Sequence, residues 1–173
     1  MNIDFKNIQY LKLGNSKQKE IYRIVNEYNL LEILKDYSPI IVGTFPININ
    51  IENSDIDIIL QVQNMKVLED LLITNFSKFR YFKSTLLDNN NFVCNFIIEN
   101  YPFEIFAQNL KTEKQYGYLH MIKEYKILAS EDENFAEKIR ELKRNGIKTE
   151  PAFCSMLNIK GNPYIELLSY EIK

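Results

Sequence analysis

Between residues 55 and 62 the chain alternates, with Ile56, Ile58, Leu60 and Val62 separated by Asp55, Asp57, Ile59 and Gln61. A period of two is the signature of an extended strand. The apolar set needs a core beneath it, so the chain has to build a sheet here, and Asp55 and Asp57 then stand side by side on the opposite face. The first 38 residues read as helical: Asn15 or Ser16 can cap a segment carrying Ile21, Ile24, Val25 and Tyr28, and a short stretch from Leu30 to Leu34 follows. Branched Ile40, Ile41 and Val42 predict a short buried strand that Gly43 ends. Met65 to Phe76 suits an amphipathic helix, and Phe92 to Ile98 and Phe103 to Ala107 are strand candidates joined by a turn at Asn100, Tyr101 and Pro102. Beyond Gln108, helices are expected over 112–128, 133–145, 150–159 and 163–170, with Gly146 and Gly161 as C-caps and Pro151 and Pro163 in early helical positions. This order predicts an α+β fold in one domain spanning 1–173, with a sheet core over about 1–110 and a helical region over 111–173.

Scarce residues exclude several chemistries. His120 is the only histidine, so zinc sites built on histidine pairs and the triad of two histidines and a carboxylate are absent. Cys94 and Cys154 lie far apart with no Cys-x-x-Cys, which predicts a reduced, cytoplasmic protein. The five glycines never cluster, which removes the Rossmann fingerprint and the Walker A loop. No apolar run is long enough to span a membrane, and the N-terminus lacks the order of a signal peptide, so a soluble chain without a membrane partner is expected. Lys plus Arg at 21 against Asp plus Glu at 23 leaves a net charge of −2, which gives no global attraction for nucleic acid.

The chemistry concentrates in Val42-Gly43-Thr44-Phe45-Pro46-Ile47 and Ser54-Asp55-Ile56-Asp57-Ile58. Carboxylates two apart on a strand stand roughly 6–7 Å from one another. That pair can hold magnesium, with a triphosphate supplying further oxygen ligands. A Gly-Thr turn opening a short helix would present backbone N–H groups and a hydroxyl to a phosphate. An isolated Asp-x-Asp is a weak signal in a chain with seven aspartates. The preceding strand and the Gly43-Thr44 turn at matching distance give it weight.

With these motifs the chain resembles the nucleotidyltransferase superfamily of the DNA polymerase β type. That superfamily's signature is an apolar strand, Gly-Ser or Gly-Thr, about ten residues, and Asp-x-Asp on the next strand. More closely, it resembles a family of small bacterial nucleotidyltransferase-like proteins of undefined function. Gly-Thr-Phe-Pro-Ile (43–47), Ser-Asp-Ile-Asp-Ile (54–58), Phe-Glu-Ile-Phe-Ala-Gln (103–108), His120-Met121, Lys148-Thr149-Glu150-Pro151-Ala152-Phe153 and Gly161-Asn162-Pro163-Tyr164 support that likeness. One departure is Asn50, where an acidic residue is expected in such relatives. The resemblance implies a mixed sheet flanked by helices and Glu104 as a third carboxylate beside Asp55 and Asp57, the three holding Mg2+ or Mn2+. It further implies transfer of a nucleoside monophosphate from a nucleoside triphosphate to an unidentified acceptor.

Gly43 and Thr44 would cradle the phosphates, Lys148 would meet a triphosphate tail, and His120 is a candidate substrate contact. Plainer roles stand beside these. Asp55 and Asp57 suit an exposed strand end, Glu104 an ion pair with a lysine, His120 a hydrogen-bonded structural position, and Lys148 a surface charge next to a capping Thr149. For the chain as a whole, the alternatives are a non-catalytic nucleotide-binding or partner-binding module, or an antitoxin-like enzyme that modifies a protein. A homodimer is compatible with any of them.

Overall fold

Side-chain caps and apolar periodicity set the element boundaries in residues 3–172, the part of the chain that the computed structural model describes. Helices α1 (Gln9–Leu13), α2 (Ser16–Glu27) and α3 (Leu30–Ile33) open the chain, and strands β1 (Ile40–Val42) and β2 (Ile56–Gln61) follow. Helix α4 (Met65–Phe76) precedes β3 (Arg80–Leu86), β4 (Phe92–Ile98) and β5 (Tyr101–Gln108). Helices α5 (Tyr116–Ser130), α6 (Glu133–Arg144), α7 (Thr149–Leu157) and α8 (Pro163–Ser169) complete the fold. Asn15 starts α2 through a reciprocal capping box with Gln18, and Asn64, Asp132 and Asn162 cap α4, α6 and α8. Among the described residues no helix is long and apolar enough to cross a membrane.

The sheet runs β1-β2-β5-β4-β3, with β2 and β5 parallel and the other pairs antiparallel. It is the mixed sheet of an α+β fold. One face buries Ile56, Ile58, Leu60, Phe103 and Ile105 against Ile21, Ile24 and Val25 of α2 and Leu68, Leu72 and Phe76 of α4. The opposite side of β1 and β2 packs Val42 and Ile59 with Met121 of α5, Ile139 of α6 and Phe153 of α7. The helical region therefore covers only the β1–β2 side of that face. Glu104, Phe106 and Gln108 of β5 look into the space left between.

Four details differ from the sequence expectations. Strand β3 has no counterpart in the sequence pattern because it is a mostly exposed edge, with a bulge at Tyr81 (φ 56°), so its apolar residues show no clean alternation. The β4–β5 turn is Glu99-Asn100, and Tyr101 and Pro102 already pair with β4. Proline is tolerated there because β2 joins β5 only from Phe103 onward. The segment after Gly43 is a hydrogen-bonded turn and no helix: Ile49 N–H donates to Thr44, and Gln18 Nε2 donates to the Phe45 and Pro46 carbonyls, competing with helical pairing. Helix α7 ends at Asn158 in the left-handed conformation, so Gly161 (φ 109°) shapes the turn into α8 and is not the C-cap.

The core is anchored by a stack of phenylalanines. Phe96 lies 5.1 Å from Phe76, 5.7 Å from Phe79 and 5.6 Å from Phe103, with the rings nearly parallel. Truncating a buried ring loses its transfer free energy and leaves a cavity. Phe96→Ala should cost about 3–5 kcal/mol in chemical denaturation, and a loss below about 1 kcal/mol would show that the stack does not hold α4 to the sheet.

Candidate functional site

A cavity of about 780 Å³ opens where the sheet face meets α5, α6 and α7. Asp55, Asp57 and Glu104 line it with Gly43, Thr44, His120 and Lys148, so every residue singled out in the sequence reaches the same space. The parallel register pairs Asp57 directly with Glu104 on one side, and Asp57 pairs with Val42 of β1 on the other. Neighbouring strands lie about 4.8 Å apart. Asp55 sits one residue before β2 and is exposed. Its charge nevertheless acts on both other acids, which locates it beside them.

Burial raises the Asp57 carboxyl to about 8, and the charges of Asp55 and Glu104 push the same way while Lys143 opposes. Glu104 is also raised, first by burial, then by Asp55, with Lys148 opposing. Gly43 makes room for this arrangement. Its φ is 78°, which disfavours residues with a Cβ, and an added Cβ would meet Asp57 Oδ2 well inside van der Waals contact. The three carboxylates are hard oxygen donors lining one cavity, the donor type that a magnesium-sized dication prefers, although their oxygens do not form a group within 4.8 Å of one another, as those of His120, Glu124 and Glu150 do among the described residues.

Several residues in the cavity were not singled out as site candidates. Lys143 of α6 donates from Nζ to the Ile49 carbonyl at 2.7 Å. Burial lowers it to about 8, with Glu124, Asp55, Asp57 and Glu150 opposing that shift. Arg140 Nη1 donates to the Asn48 carbonyl at 2.7 Å, and Arg144 pairs with Glu52 at 3.4 Å, so one stripe of α6 holds the loop between Thr44 and Asp55. Glu124 of α5 is buried and raised to about 8, first by burial and then by Glu150, with Lys143 opposing. In the sequence these were ordinary charges on amphipathic helices. Only the spacing of Glu124 four residues after His120 hinted that both share a face.

His120 is buried at 5% exposure, and burial lowers its pKa while Glu150 and a backbone hydrogen bond with Tyr164 act to raise it. Lys148 is the N-cap of α7 and makes no side-chain cap bond, so Thr149 is the first helical residue and not the cap. The anticipated pairing of Glu104 with a lysine is absent at salt-bridge distance among the described residues, although Lys148 contributes its field. Asn50 is partly buried in the loop held by α6.

The raised Asp57 pKa sets the sign of a pH effect. Between its unfolded pKa of about 4 and its folded value of about 8, the unfolded chain releases a proton that the native state retains. Stability therefore falls as pH rises through that window. Glu124 acts in the same direction, whereas Lys143, lowered to about 8, adds stability only as pH rises above that value. In chelator at pH 7.5, Asp57→Asn should stabilise the protein by about 0.5–2 kcal/mol, the scale of strain stored at functional sites. It should also flatten the decline between pH 5 and 8. A clear loss of stability would mean that Asp57 is a structural partner.

Gly43→Ala should have the opposite effect, losing about 1–2 kcal/mol from the left-handed backbone alone. Unchanged stability would show that the turn tolerates a side chain against Asp57.

Geometric parallels lie among solved structures. The chain superposes on the RNA terminal uridylyl transferase Cid1 with a TM-score of 0.56 at 11% identity, covering 75% of this chain and 41% of that one. A cytoplasmic RNA terminal U-transferase gives 0.52 at 14% identity, covering 75% and 39%. The GLD-2/RNP-8 complex gives 0.51 at 13%, covering 82% and 56%. The chain thus spans about two-fifths to just over half of the proteins it superposes on, and at these identities the likeness establishes the fold of the polymerase β type nucleotidyltransferases. No curated protein matches in sequence. The model of the family described as "Domain of unknown function (DUF4269)" matches residues 23–170, and the chain, built on the nucleotidyltransferase fold, belongs to that family.

Proposed function

We propose that the protein transfers a nucleoside monophosphate from a nucleoside triphosphate to an acceptor hydroxyl, releasing pyrophosphate, with Mg2+ or Mn2+ held by Asp55, Asp57 and Glu104. The observation that supports this most is the pairing of Asp57 with Glu104 across parallel strands, beside a Gly43 whose missing Cβ leaves space for the Asp57 carboxylate. A bound dication would neutralise the three acids and draw charge from the phosphate oxygens.

The chain's own residues then have distinct tasks. The Gly43-Thr44 backbone and the Thr44 hydroxyl cradle the β and γ phosphates, and Lys148, capping α7 at the cavity wall, meets their charge. Lys143 offsets the acids from the side of α6. Glu104, whose carboxyl is raised, assists the metal that activates the acceptor hydroxyl. The acceptor oxygen forms a bond to the α-phosphorus while the bond to the bridging oxygen breaks, and pyrophosphate leaves with that electron pair. His120 faces the same cavity from α5 and is a candidate contact for the substrate. Rate enhancement comes from alignment and charge neutralisation.

The acceptor stays open. Two structural neighbours are RNA terminal transferases, whereas a net charge of −2 provides no general attraction for RNA.

Purified protein should release pyrophosphate from at least one of the four ribonucleoside triphosphates with Mg2+ or Mn2+, and Asp57→Asn should abolish it. Triphosphate at one hundred times its Kd adds about 2.7 kcal/mol, or roughly 5–10 °C in melting temperature for a chain of this size. That shift should vanish in excess chelator. Equal shifts with and without chelator, together with no pyrophosphate from any triphosphate, would overturn the proposal.

A further inference from the structure

The acids of β2 and β5 are not the only ligand-bearing cluster in the cavity. One imidazole nitrogen of His120 and one carboxylate oxygen each of Glu124 and Glu150 lie within 4.8 Å of one another. His120 and Glu124 follow at i and i+4 on α5, and Glu150 comes from the first turn of α7. His120 is only 5% exposed and Glu124 3%, so neither is a solvated surface group.

The histidine supplies the second observation. Its Nδ1 is buried without a hydrogen-bond partner. The Tyr164 backbone acts on the ring electrostatically. A neutral imidazole carries a lone pair on one ring nitrogen, and a buried ring nitrogen without a partner is available to a metal ion. An unpaired buried nitrogen is costly, and two carboxylates beside it repel. Lys143 is the nearby cation, but its ammonium donates to the Ile49 carbonyl and, among the described residues, reaches neither Glu124 nor Glu150 at salt-bridge distance.

We propose that His120, Glu124 and Glu150 form a second cation site in this cavity, selective for a borderline transition-metal dication such as Zn2+, which ties α5 to the start of α7. The donor set decides the selectivity. Two oxygens and one imidazole nitrogen suit zinc or manganese, whereas the all-oxygen set of Asp55, Asp57 and Glu104 suits magnesium. Ligand atoms around a tetrahedral zinc stand about 3.3 Å apart, given bond lengths near 2.0–2.2 Å. The three ligand atoms already lie within 4.8 Å of one another, close to that spacing. Three protein ligands leave a coordination position open to the cavity, where an anionic oxygen of a substrate can bind.

Binding at this site can be tested with the transfer reaction disabled. Because His120 is the only histidine, its ring resonances identify themselves in untagged, 15N-labelled protein. In the Asp55→Asn/Asp57→Asn background, Zn2+ should shift one ring nitrogen strongly and saturate at one equivalent. Glu124→Gln should weaken that binding at least tenfold, the lower end of what even an outer-shell partner contributes. Glu150→Gln should do the same and serves as the second variant if the buried Glu124→Gln does not fold, as judged by melting in chelator. Zinc binding that leaves the ring nitrogens unshifted, or affinity unchanged in the folded variants, would overturn the proposal. Pyrophosphate release by the unmodified chain is a separate measurement, so failure of either reading leaves the other standing.

Discussion

Asp55, Asp57, Glu104, Glu124 and Glu150 all line one cavity, and holding acids together there is the constraint around which the rest of the fold is arranged. Coulomb repulsion strengthens as the surroundings lose water. The counterforce lies on the other side of the sheet. Ile56, Ile58, Phe103 and Ile105 come from the same two strands as Asp57 and Glu104 and are almost wholly buried against α2 and α4. Because successive side chains of a strand point to opposite faces, burying one set forces the acids together on the other. The apolar core thus supports a site that is electrostatically unfavourable on its own.

Lysine and arginine from α6 supply the remaining balance. Arg140 and Lys143 satisfy the Asn48 and Ile49 carbonyls, and Arg144 meets Glu52. One helix therefore fixes the loop between the Gly43 turn and Asp55 and places an ammonium between two groups of acids. Lys143 is the link: its field acts on Asp57 and on Glu124 in the same direction. A cation entering the cavity would relieve the same strain that Lys143 relieves in part, which couples the two acid clusters through a single side chain.

Much of this was legible before any coordinates. The alternation over 55–62 announced β2, and Asn15, Pro163 and the helical periodicities announced most helices, because caps and periodicity are local properties. Strand β3 was not legible, since an exposed edge has no buried face to impose a pattern. The turn after Gly43 was misread as helical because Gln18, distant in sequence, captures the carbonyls that a helix would have used.

The sequence by itself determined that Asp55 and Asp57 share a face, that Gly43 must end a strand, and that the chemistry is confined to carboxylates, lysines and one histidine. These follow from residue type and from periods of two or 3.6, which need no knowledge of the fold. Tertiary structure alone decided the parallel pairing that sets Glu104 opposite Asp57, the reach of Lys143 into the cavity, and the meeting of His120, Glu124 and Glu150. Each of these depends on how separate elements pack, and packing is governed by buried area summed over many residues and not by the identity of the few polar groups it brings together.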